Sequence, residues 1–380
     1  MESTGISGFI EKIPGGKLTL YLVLFALVIS VPVYPLGDSS LYIQRILTLT
    51  ILYMILALGL NIVPGFTGLL DLGYVGFYGI GAYTAGLLTI HYDLSFWVIL
   101  PLAALNGALW GILLGAPTLR LTGDYFAIVT FGFSELVVLV IRNELWLTRG
   151  PMGLPGINPP SILGHAIRKQ WEYYYLVLAM LFLVLFVVRR IEDSRLGRAW
   201  FAIREDEIAA ECVGINIINY KVIAFATSAS IGAFGGAFFA KWFLFIHPDM
   251  FKFWESILVL CLIVFGGMGS IKGTMLGAAV LIPMTEILRA VLINIPKWLN
   301  SLGMNLTVEF GQNLVQARYL LFGLILVLMM RFRPEGLFPI ARVKGEMHPD
   351  EYAREMEDAS LYEKRTAVKV VKVWKRKKKK

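Results

Sequence analysis

The chain has 380 residues, of which 57% are hydrophobic and only 16% are charged, and its mean hydropathy is +0.68. Soluble globular domains are about half apolar and about a quarter charged, so this composition excludes a soluble domain and indicates an integral membrane protein. The formal net charge of +8 does not indicate nucleic-acid binding, because lysine and arginine are concentrated in one loop and in the C-terminal tail, where they fit membrane topology and lipid contact.

Apolar runs of membrane-spanning length recur along the chain. A spanning helix needs about 20 predominantly apolar residues, and somewhat fewer when its flanks reach the membrane interface. We therefore predict an all-α polytopic membrane protein with about ten transmembrane helices, within a range of about 8–11. The predicted spans are residues 18–34, 45–63, 74–90, 96–114, 125–141, 173–188, 222–245, 257–266, 275–293 and 317–330. The run at 257–266 is short, which favours a broken or half-length helix.

The two ends of the chain are polar. Residues 1–17 lack the short apolar core and the cleavage site of a secretory signal, so we predict an N-terminal segment followed by a retained first span. A transmembrane domain at 18–338 and a charged C-terminal tail at 339–380 complete the predicted organisation.

Charge predicts the orientation of the chain in the membrane. The loop at 189–219 follows the sixth predicted span and carries a cluster of arginines, which are Arg189, Arg190, Arg195 and Arg198. Such clusters near the ends of spans mark the cytoplasmic side, so we place this loop in the cytosol. An even number of spans then makes both the N-terminus and the C-terminal tail cytoplasmic.

The segment at 61–73 interrupts an apolar run with a proline, three glycines and an acid. Irregular backbone at membrane depth is tolerated only where protein or water covers it. Two interpretations follow: the segment is the wall of a translocation cavity, or it is a tight turn at the cytoplasmic surface. The first interpretation makes Asn61, Gly65, Gly68 and Asp71 candidate pathway residues.

Glu135 lies near the middle of the predicted span at 125–141. A carboxylate at membrane depth costs roughly 2.5–3.5 kcal/mol on insertion scales, and such residues face the interior of a helix bundle or a water-filled cavity. We predict that Glu135 faces the bundle interior. There it either anchors a substrate ammonium group as a pathway residue or pairs with a polar neighbouring helix.

The loop at 189–219 contains a polar, helix-prone stretch that requires a host outside the bilayer. We predict one helix over residues 205–213, about 13 Å long at 1.5 Å per residue, with Gly214 as its C-terminal cap. The alternative is an amphipathic loop lying on the lipid headgroups. Its four carboxylates favour a protein partner instead, because an anionic membrane surface attracts lysine and arginine.

Motifs of the common catalytic and metal sites are missing from the sequence. The glycine-rich run at 266–274 lacks the Gly-Lys-Ser/Thr sequence of a phosphate loop and predicts a tight turn. Cys212 and Cys261 have no oxidising setting, so we predict no disulfide. Glu286 and Arg289 lie three positions apart on one helical face and predict a structural ion pair. We therefore expect a chain that is no enzyme and that holds no cofactor and no metal.

Several blocks together resemble one family. The blocks are residues 59–73 continuing through 79–85, the stretch Gly-Asp-Tyr-Phe-Ala-Ile-Val-Thr and its continuation at 123–133, the polar stretch at 197–216, and the shorter matches at 265–270 and 333–338. In these blocks the chain resembles the inner-membrane permease subunits of branched-chain amino acid ABC importers, in the LivM-like branch. The resemblance covers about residues 18–338 and implies an ABC importer permease-type helical bundle.

The resemblance also implies partners and a coupling segment. The partners are a second homologous permease subunit, two cytoplasmic ABC ATPase subunits, an external substrate-binding protein and membrane lipid, without nucleic acid. The polar stretch resembles the Glu-Ala-Ala-x-x-x-Gly loop by which many ABC permeases contact their ATPases, although Ile208 separates the acid from the two alanines. The implied coupling residues are Arg204, Glu205, Asp206, Glu207, Ala209, Ala210 and Gly214.

Three functional hypotheses follow from the sequence. The leading one is ATP-driven import of branched-chain amino acids, namely leucine, isoleucine and valine, across the cytoplasmic membrane. The second keeps the ABC permease and changes the cargo to urea or short amides. The third, from a different class, is an ion-coupled secondary transporter, whose uptake would collapse with the ion gradient while ATP remains.

Overall fold

A computed structural model describes residues 39–118, 124–162 and 165–301, together with residues 323–324, 327–328, 331 and 336–337. Helices make up most of this part of the chain. In chain order they are α1 (Ser39–Leu60), a π-helical turn (Ile62–Thr67), α2 (Tyr74–Tyr92), α3 (Phe96–Thr118), α4 (Asp124–Asn143), α5 (Leu145–Thr148), α6 (Gln170–Glu192), α7 (Arg195–Glu205), α8 (Glu207–Cys212), α9 (Ile217–Phe243), α10 (Phe253–Gly266) and α11 (Ile271–Ser301). Two short 3₁₀ turns span Gly150–Met152 and Pro248–Phe251.

Six helices of the described part are long and apolar enough to cross a membrane. They are Leu41–Thr67, Phe96–Thr118, Tyr125–Asn143, Gln170–Glu192, Ile217–Phe243 and Ile271–Leu292. The multi-pass helical architecture is therefore confirmed, whereas the predicted number of about ten spans is not. The predicted spans at 74–90 and 257–266 are the helices α2 and α10, and α10 has only 14 residues, so the expectation of a short helix there is confirmed. The predicted span at 18–34 and most of the one at 317–330 lie outside the described residues.

Helix α9 occupies the centre of the described bundle and packs against α3, α2 and α1. Glycines explain how closely these helices approach, as small residues do in many membrane proteins. A Cβ atom added to Gly107 of α3 would lie 2.4 Å from the Cβ of Ala233 in α9, and one added to Gly81 of α2 would lie 2.1 Å from the carbonyl oxygen of Ala233. Larger residues at these positions would separate the helices.

Short strands connect the loops at one end of the bundle. Strand β1 (Leu154–Pro155) pairs antiparallel with β4 (Phe245–Ile246), with Leu154 opposite Ile246. Strand β2 (Ser161–Ile162) pairs with β3 (His165–Ala166) in the same way. The first pairing links the segment that follows α4 to the segment between α9 and α10, so these two parts of the chain are held together.

Several smaller predictions concern residues within the described part. Gly267 and Gly269 have positive φ angles of 116° and 85° and form the turn between α10 and α11, so the predicted turn is confirmed. The guanidinium of Arg289 lies 3.7 Å from the carboxylate of Glu286, as predicted. The two cysteines, Cys212 and Cys261, are free.

Candidate coupling and translocation site

The interrupted segment at 61–73 contains a buried π-helical turn. All six residues of Ile62–Thr67 are buried, and Gly68, with a φ angle of 75°, ends the turn in the left-handed conformation. Pro64 has no backbone N–H to donate, which favours a local departure from the α-helical hydrogen-bond ladder. Protein therefore covers this irregular backbone, which is the condition for placing it at membrane depth.

Asn61 connects the π-helical turn to the glycine turn before α11. Its Oδ1 atom accepts a hydrogen bond of 2.8 Å from the backbone N–H of Gly269, and the side chain is 1% exposed. Gly65 lies against this bond, since an added Cβ would be 2.3 Å from that Oδ1 atom and 2.7 Å from the nitrogen of Gly269. Only glycine fits at position 65 without separating the two segments.

Asp71 belongs to the same segment and is also buried, with 1% of its surface exposed. Its Oδ1 atom accepts a hydrogen bond of 2.8 Å from the backbone N–H of Gly73. The hydroxyl of Thr130 in α4 accepts one of 3.1 Å from the backbone N–H of Leu72. Asp71 thus shapes the backbone that leads into α2, and its predicted role in the pathway stays a prediction.

The predicted helix at 205–213 is present as α8 but its predicted bounds are wrong, because Glu205 belongs to α7 and the coupling stretch is formed by two helices. Asp206 is extended, with φ −158° and ψ 113°, and it ends α7 and begins α8. Its carboxylate accepts hydrogen bonds from the backbone N–H groups of Ile208 and Ala209, at 2.8 and 3.0 Å. An aspartate that caps a new helix in this way stabilises the break. Gly214 has a φ angle of 86° and follows α8, as expected for a cap.

Helix α7 packs directly on the π-helical turn. The ring of Phe66 stacks on the buried indole of Trp200 at 6.4 Å and contacts the ring of Phe201 at 5.0 Å. The guanidinium of Arg204 donates a hydrogen bond of 2.5 Å to the carbonyl oxygen of Gly65. The structure therefore brings together two groups of residues that lie far apart in the sequence, the coupling stretch and the interrupted segment.

Helix α8 faces outward from the described bundle. Its anchor is an ion pair of 2.6 Å between Glu207 and Lys221 of α9, and the Lys221 side chain is only 5% exposed. Ala210 is buried, whereas Ile208 and Val213 are each 76% exposed. The exposed residues of the stretch are Glu205, Asp206, Glu207, Ile208, Ala209, Glu211, Cys212, Val213 and Gly214. Acidic and apolar groups thus share one exposed surface, which we call the α8 surface.

The expectation that Glu135 faces the bundle interior is wrong for this chain. Glu135 is exposed on α4, while Ser134 beside it is buried. It lines an open groove of about 590 Å³, which we call the α4–α10 groove. The groove is lined by Gly132, Glu135, Leu136, Val138, Leu139 and Arg142 from α4, and by Lys252, Phe253 and Trp254 at the start of α10.

Asp249 lies beside one end of this groove and pairs with two cations. Its carboxylate contacts the guanidinium of Arg142 and, at 3.1 Å, the ammonium of Lys252. The hydrogen bond from Lys252, with the charges of Lys252 and Arg142, holds the pKa of Asp249 below its ordinary value. His247 also accepts a hydrogen bond of 3.1 Å from the backbone N–H of Asp249.

Two residues that organise the site were not among the predicted ones. Trp200 donates a hydrogen bond of 2.8 Å from its indole nitrogen to the carbonyl oxygen of Tyr220 and is fully buried. Trp200 and the buried Ile203 lie three positions apart, on one face of α7. A helix predicted to begin after Ser194 would have indicated that this face is buried. Lys221 has no comparable signal, because nothing in the sequence pairs it with an acid 14 positions away.

Comparisons with known proteins identify the family and the relatives of this chain. The family profile described as "Branched-chain amino acid transport system / permease component" matches residues 42–330. The chain is similar to the high-affinity branched-chain amino acid transport system permease protein LivM of Salmonella typhimurium and to that of Escherichia coli K12. Each is 38% identical over 362 residues, covering 89% of this chain and 80% of the relative.

A more distant relative is the permease protein LivH of Escherichia coli K12, named for the same kind of system. It is 28% identical over 259 residues, which cover 62% of this chain and 80% of the relative. No solved structure matches the chain. The match of the family profile over most of the sequence, together with the six membrane-length helices, shows that the chain is a multi-pass membrane protein and belongs to the family of branched-chain amino acid transport permeases.

Proposed function

We propose that the chain is one permease subunit of an ATP-binding cassette importer that carries branched-chain amino acids across the cytoplasmic membrane. The names of the relatives support this cargo, and leucine, isoleucine and valine are the expected substrates. The observation that carries the proposal is the packing of α7 on the π-helical turn, where Arg204 holds the carbonyl oxygen of Gly65. That contact gives a cytoplasmic segment a direct mechanical link to a buried break in a spanning helix.

Energy enters this chain through the α8 surface. The exposed acids and the two exposed apolar residues, Ile208 and Val213, offer both charged and hydrophobic contacts to a cytoplasmic ATPase subunit. A movement of α8 reaches α7 through the extended Asp206 and reaches α9 through the Glu207–Lys221 ion pair. Helix α7 then acts on the π-helical turn, and Asn61 passes the displacement to the turn at Gly269.

The remaining assignments follow from this mechanism. The importer consists of this chain, a second homologous permease, two ATPase subunits and an external substrate-binding protein, in contact with membrane lipid. The chain itself has no catalytic role, since its partners hydrolyse ATP. Its segments at 1–17 and 339–380, which lie outside the described residues, are placed in the cytoplasm with the loop at 189–219. Asn61, Gly65, Gly68 and Asp71 belong to the moving wall of the pathway.

Uptake of labelled leucine tests the cargo and the energy source together. Cells with and without the gene are compared after the ion gradient has been collapsed while ATP is maintained. We expect uptake only in cells that carry the gene, and we expect no competition from excess unlabelled urea. Loss of uptake with the gradient would favour an ion-coupled transporter, and competition by urea would favour a permease for urea or short amides.

A single substitution on the α8 surface tests the docking of the ATPase. Ile208→Asp removes an apolar contact from a side chain that is 76% exposed, so the fold of the permease is expected to survive. We expect the ATPase subunits no longer to co-purify with the permease. Met152→Asp, at a side chain that is 83% exposed in the loop after α5, is the matched control. Retention of the ATPase by the Ile208→Asp variant would refute this docking site.

A further inference from the structure

The α4–α10 groove carries charges of both signs on a largely apolar surface. Glu135 lies on its α4 wall, near the middle of a helix of membrane-spanning length. Arg142 lies on the same wall, near the C-terminal end of α4. Lys252, at the start of α10, lies at this same end of the groove. Leu136 and Trp254 belong to the apolar lining between these groups.

Glu135 indicates that the groove is not filled by lipid tails. Carboxylates within membrane spans face protein or water-filled cavities, because an ionised group in hydrocarbon is costly. In this chain, however, Glu135 is exposed. Its carboxylate makes no ion pair or hydrogen bond with the described residues, and the neighbouring Gly132 has open space, with no atom within 4 Å of an added Cβ. The groove therefore requires a polar occupant or water.

The cations at the other end have unused capacity. Asp249 is one carboxylate between two cations, Arg142 and Lys252. A guanidinium has five N–H donors and an ammonium has three, so contact with a single carboxylate leaves donors free for a second one. The side chains of Arg142 and Lys252 are 43% and 56% exposed, so these donors are accessible from the groove.

The spacing of the charges suits a small molecule that is itself a zwitterion. Glu135 and Arg142 are seven positions apart, a rise of about 10 Å along one face of α4. Both side chains lean toward the N-terminus of α4, but that of Arg142 is longer, so the gap between the two charges is shorter than this rise. The groove volume of about 590 Å³ is in the range of small-ligand pockets, which is about 300–1,000 Å³.

We propose that the α4–α10 groove binds an aliphatic amino acid in its zwitterionic form. Glu135 accepts hydrogen bonds from the ammonium group, Arg142 and Lys252 donate to the carboxylate, and the lining of Leu136, Leu139 and Trp254 receives the side chain. This inference rests on the proposed function, since it takes the cargo of the importer as its ligand. It makes the groove a binding step within this chain, separate from the external binding protein.

Thiol labelling tests the groove directly. Gly132→Cys places a thiol in open space one helical turn from Glu135. The complete importer carrying this variant is treated with a charged, water-soluble methanethiosulfonate reagent, and modification of the peptide that contains residue 132 is followed by mass spectrometry. We expect modification, and we expect leucine to slow it. Isoamylamine, which lacks the carboxylate, and 4-methylpentanoate, which lacks the ammonium group, should give no protection at the same concentrations.

A second variant tests the role of Glu135. With Gly132→Cys retained, Glu135→Gln should raise the leucine concentration that gives half protection by about tenfold or more, the loss expected for one hydrogen bond to a charged group. Glu144→Gln, which changes an acid just beyond the end of α4 and outside the groove, should leave that concentration unchanged.

The outcomes separate this inference from the proposed function. Any of three results would overturn the binding groove. The thiol at position 132 is not modified, leucine does not protect it, or leucine protects it equally well with and without Glu135→Gln. Leucine uptake by the unaltered importer is measured in parallel. Normal uptake without protection would reject the groove alone, whereas no uptake and no protection would reject leucine as the cargo.

Discussion

Replacing Gly65 by alanine should open the junction between the π-helical turn and the turn before α11. An added Cβ would lie 2.3 Å from Oδ1 of Asn61 and 2.7 Å from the nitrogen of Gly269. These are the two atoms joined by the 2.8 Å hydrogen bond of the junction. Because one of the clashing atoms belongs to the backbone, a side-chain rotation alone cannot relieve the contact.

The cost of Gly65→Ala follows from these distances. Overpacking of a well-packed interior costs about 1–3 kcal/mol, and loss of a buried hydrogen bond adds about 1 kcal/mol. We therefore expect a destabilisation of about 2–4 kcal/mol, which should lower the thermal midpoint of the purified permease by about 2–5 °C. Thermal unfolding followed by intrinsic fluorescence in detergent measures this change.

Gly132→Ala is the matched control, because nothing lies within 4 Å of an added Cβ at that position. Alanine is about 1 kcal/mol better than glycine within a helix, so this variant should be as stable as the parent or slightly more stable. Equal midpoints for the two variants would show that Gly65 is not held against Asn61 and Gly269, and the argument for a tight junction would fail.

Two further predictions concern charges. Glu207→Gln leaves the buried ammonium of Lys221 without its partner and should cost about 1–3 kcal/mol of stability. In a double-mutant cycle on thermal stability, adding Lys221→Met should recover part of this loss. Additive effects of the two substitutions would contradict the pairing. Asp249 has a pKa held below its ordinary value, chiefly by the hydrogen bond from Lys252, so its contribution to stability is present above the unfolded pKa and is lost as the pH falls through the lower folded pKa. The stability difference between the parent and Asp249→Asn should therefore be present at pH 7, begin to decline below about pH 4 and vanish once the pH is below the lower folded pKa. A difference that does not decline in acid would exclude this ionic origin.

The spanning helices could be predicted from the sequence because length and apolar content determine them directly. The predicted span at 96–114 is the core of α3, and the one at 173–188 lies within α6. The short run at 257–266 was correctly expected to form a reduced helix. Its limit is physical, since Gly266 and Gly267 end the helix where the chain turns into α11. The pattern of apolar residues is enough to predict these helices, without knowledge of their tertiary contacts.

The break at Asp206 could not be predicted in the same way. An acid is compatible with the first turn of a helix and with a cap before it, and the sequence of the coupling stretch allows both. Tertiary packing decides between them: Trp200 is buried on the π-helical turn and fixes the direction of α7, while Lys221 fixes the start of α8 through Glu207. A continuous helix is not oriented to make both contacts. The extended Asp206 instead joins two helices, each of which makes one of them.

Glu135 shows a different limit of sequence reasoning. An ionised carboxylate has a high free-energy cost in lipid, but this cost constrains the assembled transporter rather than the single chain. One subunit can leave such a residue exposed when a partner subunit, water or a ligand completes its surroundings. The sequence therefore identified a residue that requires a polar environment, while the location of that environment was wrong.

The two anchors of the coupling stretch give its movement a definite direction. Helix α9 packs against α2 and α3 through contacts at which an added Cβ would collide with backbone or small side chains, so it cannot shift alone. The π-helical turn is also firmly packed, because all six of its residues are buried and it contacts both α7 and α9. Arg204 and the ring of Phe66 join it to α7, and the hydrogen bond from Gly269 to Asn61 joins it to the turn before α11. A force on α8 that reaches α7 should therefore move the π-helical turn and the turn before α11 together.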